Sequence, residues 1–265
     1  MTATKPGPER EATLTPALAW RQQLHAEVIK LRSTRSTYAL MAGGLLLGVV
    51  TLGVFLVFLP TDDALVDRTA VNALIDSAGR GWMFAVLIGV ICSSGEFRHL
   101  TISGTLIAHP NRSSLLLAKA TAAAGAGVLM ALASVLAGTV IVALDLTGQV
   151  GIGTIGSAGA LQLAGSGIAF ALAAAIGVGL GGLIRVQVGA VVVVLIWVLA
   201  IEPIIALAWP DVDRWLPGNA VNALGATGLF SAPGDALRAV AVLIGLATVS
   251  LVAAALTSMR RDITS

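Results

Sequence analysis

Long apolar segments without charge recur along this sequence, and they constrain its fold more than any other feature. A helix needs about 20 mostly apolar residues to cross the roughly 30 Å hydrocarbon core of a bilayer. The composition agrees with such crossings, since 57% of the 265 residues are hydrophobic and only 11% are charged. A water-facing surface requires more charged residues than that. We therefore expect an all-α membrane protein.

Six segments have the length and composition of membrane spans. They cover residues 38–59, 79–94, 114–144, 158–184, 188–209 and 236–257. The second is short unless the flanking Arg80 and Glu96 are included, and the fifth is interrupted by Glu202 and Pro203. The sequence thus predicts a domain of six transmembrane helices over residues 37–258, followed by a cytoplasmic tail over residues 259–265.

Basic residues in the connecting segments predict the orientation of the spans. Short cytoplasmic loops of membrane proteins are enriched in Lys and Arg. Six spans place both termini on one side, and that side carries twelve of the basic residues against four on the other. We expect a multi-pass protein of the inner membrane of the cell, with both termini in the cytoplasm.

The segment before the first span predicts a helix on the membrane surface. Residues 1–14 are expected to be disordered, whereas Thr15 and Pro16 are typical of a helix start. Apolar residues then recur at helical spacing on one face: Ala17, Trp20, Leu24, Val28 and Leu31. We expect an amphipathic helix over 15–36 in the cytoplasmic interface of the bilayer. Packing of this helix against another protein is a compatible alternative.

Motifs for catalysis or cofactor binding are weak. The stretch 151–156 matches GxGxxG, but it lies between two predicted spans rather than in a βαβ unit, and we interpret it as a loop. No GxxxxGK[ST] phosphate loop occurs, so ATP is not expected on this chain. The histidines His25, His99 and His109 lack metal-ligand spacing, and no basic patch favours nucleic acid. We expect no enzyme activity and no catalytic, cofactor or metal site.

Glu202 is the one acidic residue deep inside a predicted span. A carboxylate in the bilayer is costly unless it is paired or hydrated, and such residues are functional candidates. One hypothesis gives Glu202 a role in lining a translocation path, and the other gives it a structural ion pair with Arg214 or Arg238. Pro203 is expected to kink the helix there, since it removes a backbone donor.

Three further residues in the spans carry local predictions. Lys119, near the start of the third span, is expected to extend its amine to the membrane interface. Gly177 and Gly181 form a GxxxG step, which allows two helices to approach closely. This step is common in membrane proteins and does not by itself indicate a dimer.

The segment between the second and third spans is polar and lies on the predicted cytoplasmic side. It is long enough for a short surface helix, which would offer a docking surface to a cytoplasmic protein. The candidate contacts are Glu96, Arg98, His99, Thr101 and Arg112.

These residues also carry a family resemblance. Glu96-Phe-Arg98, the Thr-Ile and Thr-Leu pairs after it, Pro110, Arg112 and Ala118-Lys119 resemble the first cytoplasmic loop of ABC-2 type transporter permeases. The resemblance extends over 20–258 through four further stretches: 27–35, 181–185, 197–203 and 215–218. One departure is His99-Leu100, where the family pattern has a glycine before the threonine.

The resemblance implies a permease subunit of an ATP-driven ABC transporter, and most members of the family are exporters. It implies a short coupling helix within 96–112 that fits a cleft of a separate ATP-binding cassette ATPase, which would hold the ATP. The best contacts by this resemblance are Glu96, Arg98, Thr101 and Arg112. A second permease, either an identical copy or a paralogue, would complete the transporter in the lipid bilayer.

Other functions compete with that interpretation. A proton-coupled secondary transporter would use Glu202 as a proton carrier and would need no ATPase. A non-transporting membrane component would bind the ATPase without moving a substrate. A membrane enzyme would need polar catalytic pairs within the spans, and the sequence offers none.

Overall fold

The structure, a computed structural model, describes residues 16–58, 74, 79–98, 112–145, 152–184, 186–226 and 233–260. Helices account for nearly all of these residues, and no strand occurs among them. The helices are α1 (Pro16–Ser33), α2 (Arg35–Phe58), α3 (Trp82–Arg98), α4 (Arg112–Asp145), α5 (Ile152–Ile184), α6 (Gln187–Ile196), α7 (Glu202–Ala208), α8 (Pro210–Asp213), α9 (Pro217–Ala226) and α10 (Pro233–Arg260). The predicted all-α class is confirmed for this part of the chain.

Five helical stretches in the described part are long and apolar enough to cross a membrane. They are Arg35–Phe58, Ser113–Leu144, Gln162–Ile184, Gln187–Ala208 and Gly234–Ser258. The remaining predicted span corresponds to the shorter apolar helix Gly79–Gly95. The chain therefore has the helices of a multi-pass membrane protein, whereas the number of six spans stays a prediction.

Helix α5 lies at the centre of the fold and packs on α3, α4 and α10. Glycines allow its close approach to α3. A methyl group added at Gly177 would overlap the carbonyl of Val86, and one added at Gly181 would meet the carbonyl of Val90. The GxxxG step is therefore used inside the chain, between two of its own helices.

The start of α5 differs from the sequence interpretation. Residues 152–156 of the glycine-rich stretch are helical rather than a loop, and Gly151 lies outside the described residues. The helix of the following span thus extends through this stretch despite the low helix propensity of glycine.

The fifth predicted span is one helical stretch, Gln187–Ala208, that contains a π-helical turn. A π-helical turn, Trp197–Ile201, joins α6 to α7, and the amide of Glu202 donates to the carbonyl of Trp197. Pro203 has no amide hydrogen, and its ring excludes the carbonyl of the preceding turn. The helix accommodates this by widening by one residue. After it, α9 packs on α10 and α5.

Candidate functional site

A cluster of polar side chains, of which Gln23, Glu27 and Lys119 are buried, joins α1 to the beginning of α4. We call it the ion junction, and it consists of Gln23, Glu27, Lys30, Ser114 and Lys119. The Nζ atom of Lys119 lies 2.9 Å from Oε2 of Glu27, and Nζ of Lys30 lies 2.7 Å from Oε1. The hydroxyl of Ser114 donates to Oε1 of Gln23 over 2.6 Å. Two helices far apart in sequence are thus held together by charge and hydrogen bonds.

The two lysines of the ion junction differ in burial. The side chains of Glu27 and Lys119 are 2% and 5% exposed, whereas that of Lys30 is 45% exposed. A buried charge is tolerated only with a partner, and removal of one member of such a pair costs about 3–5 kcal/mol. Lys119 is therefore the cation on which burial of Glu27 depends.

The amine of Lys119 is buried beneath α1, where it binds Glu27. Its extension to the membrane interface stays a prediction, and α1 is the helix that is expected to lie there. The attraction of a nearby carboxylate in a poorly solvated site stabilises this position, since Coulomb energy rises as the local dielectric constant falls.

The ion junction also changes the interpretation of α1. Its buried positions among residues 20–33 are Gln23, Glu27 and Leu31, whereas the predicted apolar positions Leu24 and Val28 are only partly buried beside them. Sequence reasoning missed this face because glutamine and glutamate ordinarily face water. The available signal was their spacing of four residues with Leu31, which places the three on one face of a helix.

The predicted docking residues lie in the segment 96–112, of which the structure describes only the two ends, 96–98 and 112. Glu96 and Arg98 lie in the last turn of α3, and Arg112 begins α4. Their side chains are outside the described residues, as are His99 and Thr101 entirely. The ion junction lies directly after this segment in the sequence, because Ser114 and Lys119 belong to the first two turns of α4.

Glu202 lies in a different setting, at the first residue of α7. It is buried, although most of its span faces outward: only Ala190, Val194 and Glu202 are buried between 187 and 208. Its Oε1 atom accepts a hydrogen bond from the amide of Gly218, in the first turn of α9.

The N-terminus of α9 provides the electrostatic partner of Glu202. The first amides of a helix have no partner within the helix and carry a partial positive charge. Within the described residues Glu202 forms no ion pair with Arg214 or Arg238, and Arg238 instead lies 2.6 Å from Asp235. Helix capping is therefore the structural role that the observed contacts give to Glu202. Its Oε2 atom has no hydrogen-bond partner in the described part of the chain.

Comparison with protein-family models and with curated proteins finds no match for this chain. The fold defines its class as an all-α membrane protein with several helices able to cross a bilayer. An assignment narrower than this class rests on the residues named above, among them Glu27 and Glu202, the carboxylates that are buried within the described ranges.

Proposed function

We propose that the chain is a six-span permease subunit of an ATP-driven ABC exporter. ATP hydrolysis takes place on a separate ATPase subunit, and a second permease, identical or paralogous, completes the transporter. The observation that carries this proposal is the buried pair of Glu27 and Lys119. It fastens the leader helix to α4 directly after the segment that resembles a coupling loop.

The length of α3 supports the sixth span. Its 17 residues extend about 26 Å as an α-helix. The 3₁₀ turn Gly79–Gly81 adds about 6 Å. The total of about 32 Å, which includes the charged residues Arg80, Glu96 and Arg98 near the two ends, is comparable to the hydrocarbon core of roughly 30 Å. A sixth crossing also keeps both termini on the side with the excess of basic residues.

The ion junction supports mechanical coupling. Packed interiors transmit small displacements because they are dense and have few alternative arrangements. An ATPase that binds the 96–112 segment displaces the start of α4, and the Glu27–Lys119 pair then moves α1 with it. The two helices form one body that relays the ATPase motion to the spans.

Coexpression with a candidate ATPase tests this proposal. The candidate is a protein with a phosphate loop encoded by a neighbouring reading frame, and the measurements are copurification and ATP hydrolysis in detergent. Arg98→Glu and deletion of residues 99–112 are expected to abolish both. Arg214→Glu is the matched control, since this exposed arginine lies on the predicted outer side. Unchanged assembly and hydrolysis in the first two variants contradict docking through this segment.

A proton-coupled secondary transporter is the second candidate, and burial of Glu202 with an unpartnered Oε2 favours it. Glu202→Gln distinguishes the two. A proton carrier loses transport in this variant and needs no ATPase. In the ABC permease that we propose, the glutamine oxygen still accepts a hydrogen bond from the amide of Gly218, so ATP-dependent transport continues. Copurification of an ATPase without any ATP-dependent efflux indicates the non-transporting component instead.

A further inference from the structure

An apolar cavity of about 340 Å³ lies among α3, α5, α6, α9 and α10. Its lining includes Val86, Ile176, Trp197, Val221 and Leu243, and it is apolar almost throughout. Ser250 contributes the one hydroxyl of the lining, and that hydroxyl already donates to the carbonyl of Ala247. Ligand pockets have volumes of roughly 300–1,000 Å³ and are mostly apolar. The cavity therefore has the size and chemistry of a site for a small apolar ligand.

The cavity is elongated along the helix axes. Its lining extends from Ala173 to Leu183 on α5 and from Leu243 to Ala253 on α10. Ten residues of helix correspond to about 15 Å. An extended acyl chain fits an apolar slot of this length.

The cavity opens sideways between α6 and α10, which make little direct contact. Val193 on α6 and Val249 on α10 are half exposed or more at this opening. On the inner wall, by contrast, Ala173 and Leu243 are 1% and 0% exposed. Since both flanking helices have the composition of membrane spans, the opening faces the hydrocarbon of the bilayer.

The surroundings identify the occupant. Water in such a cavity finds too few polar partners to be stable, and an empty cavity loses the dispersion contacts of its walls. The molecules outside the opening are acyl chains. We propose that this cavity binds one acyl chain of a membrane lipid, which enters laterally between α6 and α10. This assignment does not depend on the ABC permease proposal.

Photolabelling of the protein in nanodiscs tests the proposal. The probe is a phosphatidylcholine with a diazirine at the middle of one acyl chain, and labelled peptides are located by mass spectrometry. We expect labelling of the lining positions on α5, α6 and α10 to exceed, several-fold, that of lipid-exposed positions such as Leu46 and Val57 of α2. Labelling in proportion to exposure overturns the proposal.

A pair of variants on α10 shows whether the cavity is responsible. Ala253→Trp places an indole in the cavity, whereas Val252→Trp adds the same indole at an exposed position outside the lining. We expect the first variant to lose most of the labelling at the lining and the second to retain it. Equal labelling in both overturns the proposal. If Ala253→Trp does not fold, Ile176→Trp fills the cavity from α5 and makes the same comparison.

A second copy of this chain is the competing occupant of the opening. It is detected with Val193→Cys in a Cys92→Ala background, which leaves one thiol at the mouth. Under oxidation we expect this variant to stay monomeric on a denaturing gel. Disulfide-linked dimers, formed together with weak lipid labelling, overturn the proposal in favour of a protein interface.

Discussion

Two glutamates are buried in the part of the chain that the structure describes, and the protein accommodates them by different means. Glu27, in the ion junction, is bound by Lys119 and Lys30. Glu202, in a region we call the outer turn (Glu202 with the first turn of α9), is bound by the backbone amide of Gly218. One carboxylate is balanced by a full positive charge and the other by the end of a helix.

The sequence separation of the partners shows what each arrangement does. Glu27 and Lys119 are 92 positions apart, so their pair fixes two helices that no local pattern would bring together. Glu202 and Gly218 are only 16 apart, and their contact closes a local turn of the chain. A buried ion pair thus acts as a long-range joint, whereas a capped helix end shapes one segment. Only the first arrangement is suited to transmitting motion between elements.

The largest expected effect is at the ion junction. Lys119→Met leaves Glu27 with only the exposed Lys30 as a cation, and we expect a loss of about 3–5 kcal/mol in the free energy of unfolding. Glu27→Gln combined with Lys119→Met removes both charges and is expected to recover most of that loss. Denaturant unfolding in detergent, followed by circular dichroism, measures both. A loss below about 1 kcal/mol in the single variant contradicts a dependence on charge.

A smaller loss in the free energy of unfolding is expected when Glu202 is replaced. This loss depends on whether the new side chain keeps a hydrogen-bond acceptor rather than on its charge. Glu202→Leu leaves the amide of Gly218 without an acceptor, which costs about 1–3 kcal/mol. Glu202→Gln keeps an acceptor oxygen and should cost about 1 kcal/mol or less. The same unfolding measurement applies. If the glutamine variant is as unstable as the leucine variant, the negative charge itself is required, and the contrast with Glu27 fails.

The outer turn can also be disturbed from its other side. A methyl group at Gly218 would lie 2.6 Å from Oε1 of Glu202 and 3.0 Å from its Cδ atom. Gly218→Ala must therefore displace the carboxylate, at an expected cost of about 1–3 kcal/mol. Gly234→Ala is the matched control, because a methyl group there meets no atom within 4 Å. Equal melting temperatures of the two variants would argue against close packing at Gly218.

The smallest effect is expected at Lys30, the exposed partner of Glu27. Water and salt screen its interaction, so Lys30→Met should cost no more than about 1 kcal/mol. The cost should fall further in 1 M salt, whereas that of Lys119→Met should change little. Parallel unfolding curves at low and high salt make this comparison. A larger loss at Lys30 than at Lys119 would reverse the roles that burial assigns to them.

The apolar segments of the sequence predict the helices well, because hydrophobic length is a local property. The predicted span 114–144 corresponds to α4, which covers Arg112–Asp145. The burial of Gln23, Glu27 and Lys119 could not be predicted, because hydropathy treats each as a surface residue and their contact joins distant positions. Glu202 could be identified as unusual, but its partner Gly218 depends on how α9 folds back. The docking residues Glu96, Arg98, His99, Thr101 and Arg112 stay predictions.

ATP hydrolysis by the copurified complex tests the proposed coupling most directly. Lys119→Glu and Glu27→Lys place like charges in the ion junction, and both should lower hydrolysis strongly. The double variant Glu27→Lys with Lys119→Glu restores opposite charges. We expect it to restore both the folding of the permease and the hydrolysis rate. Hydrolysis that stays at the wild-type rate in folded single variants, or that the double variant does not restore, would contradict coupling through this pair.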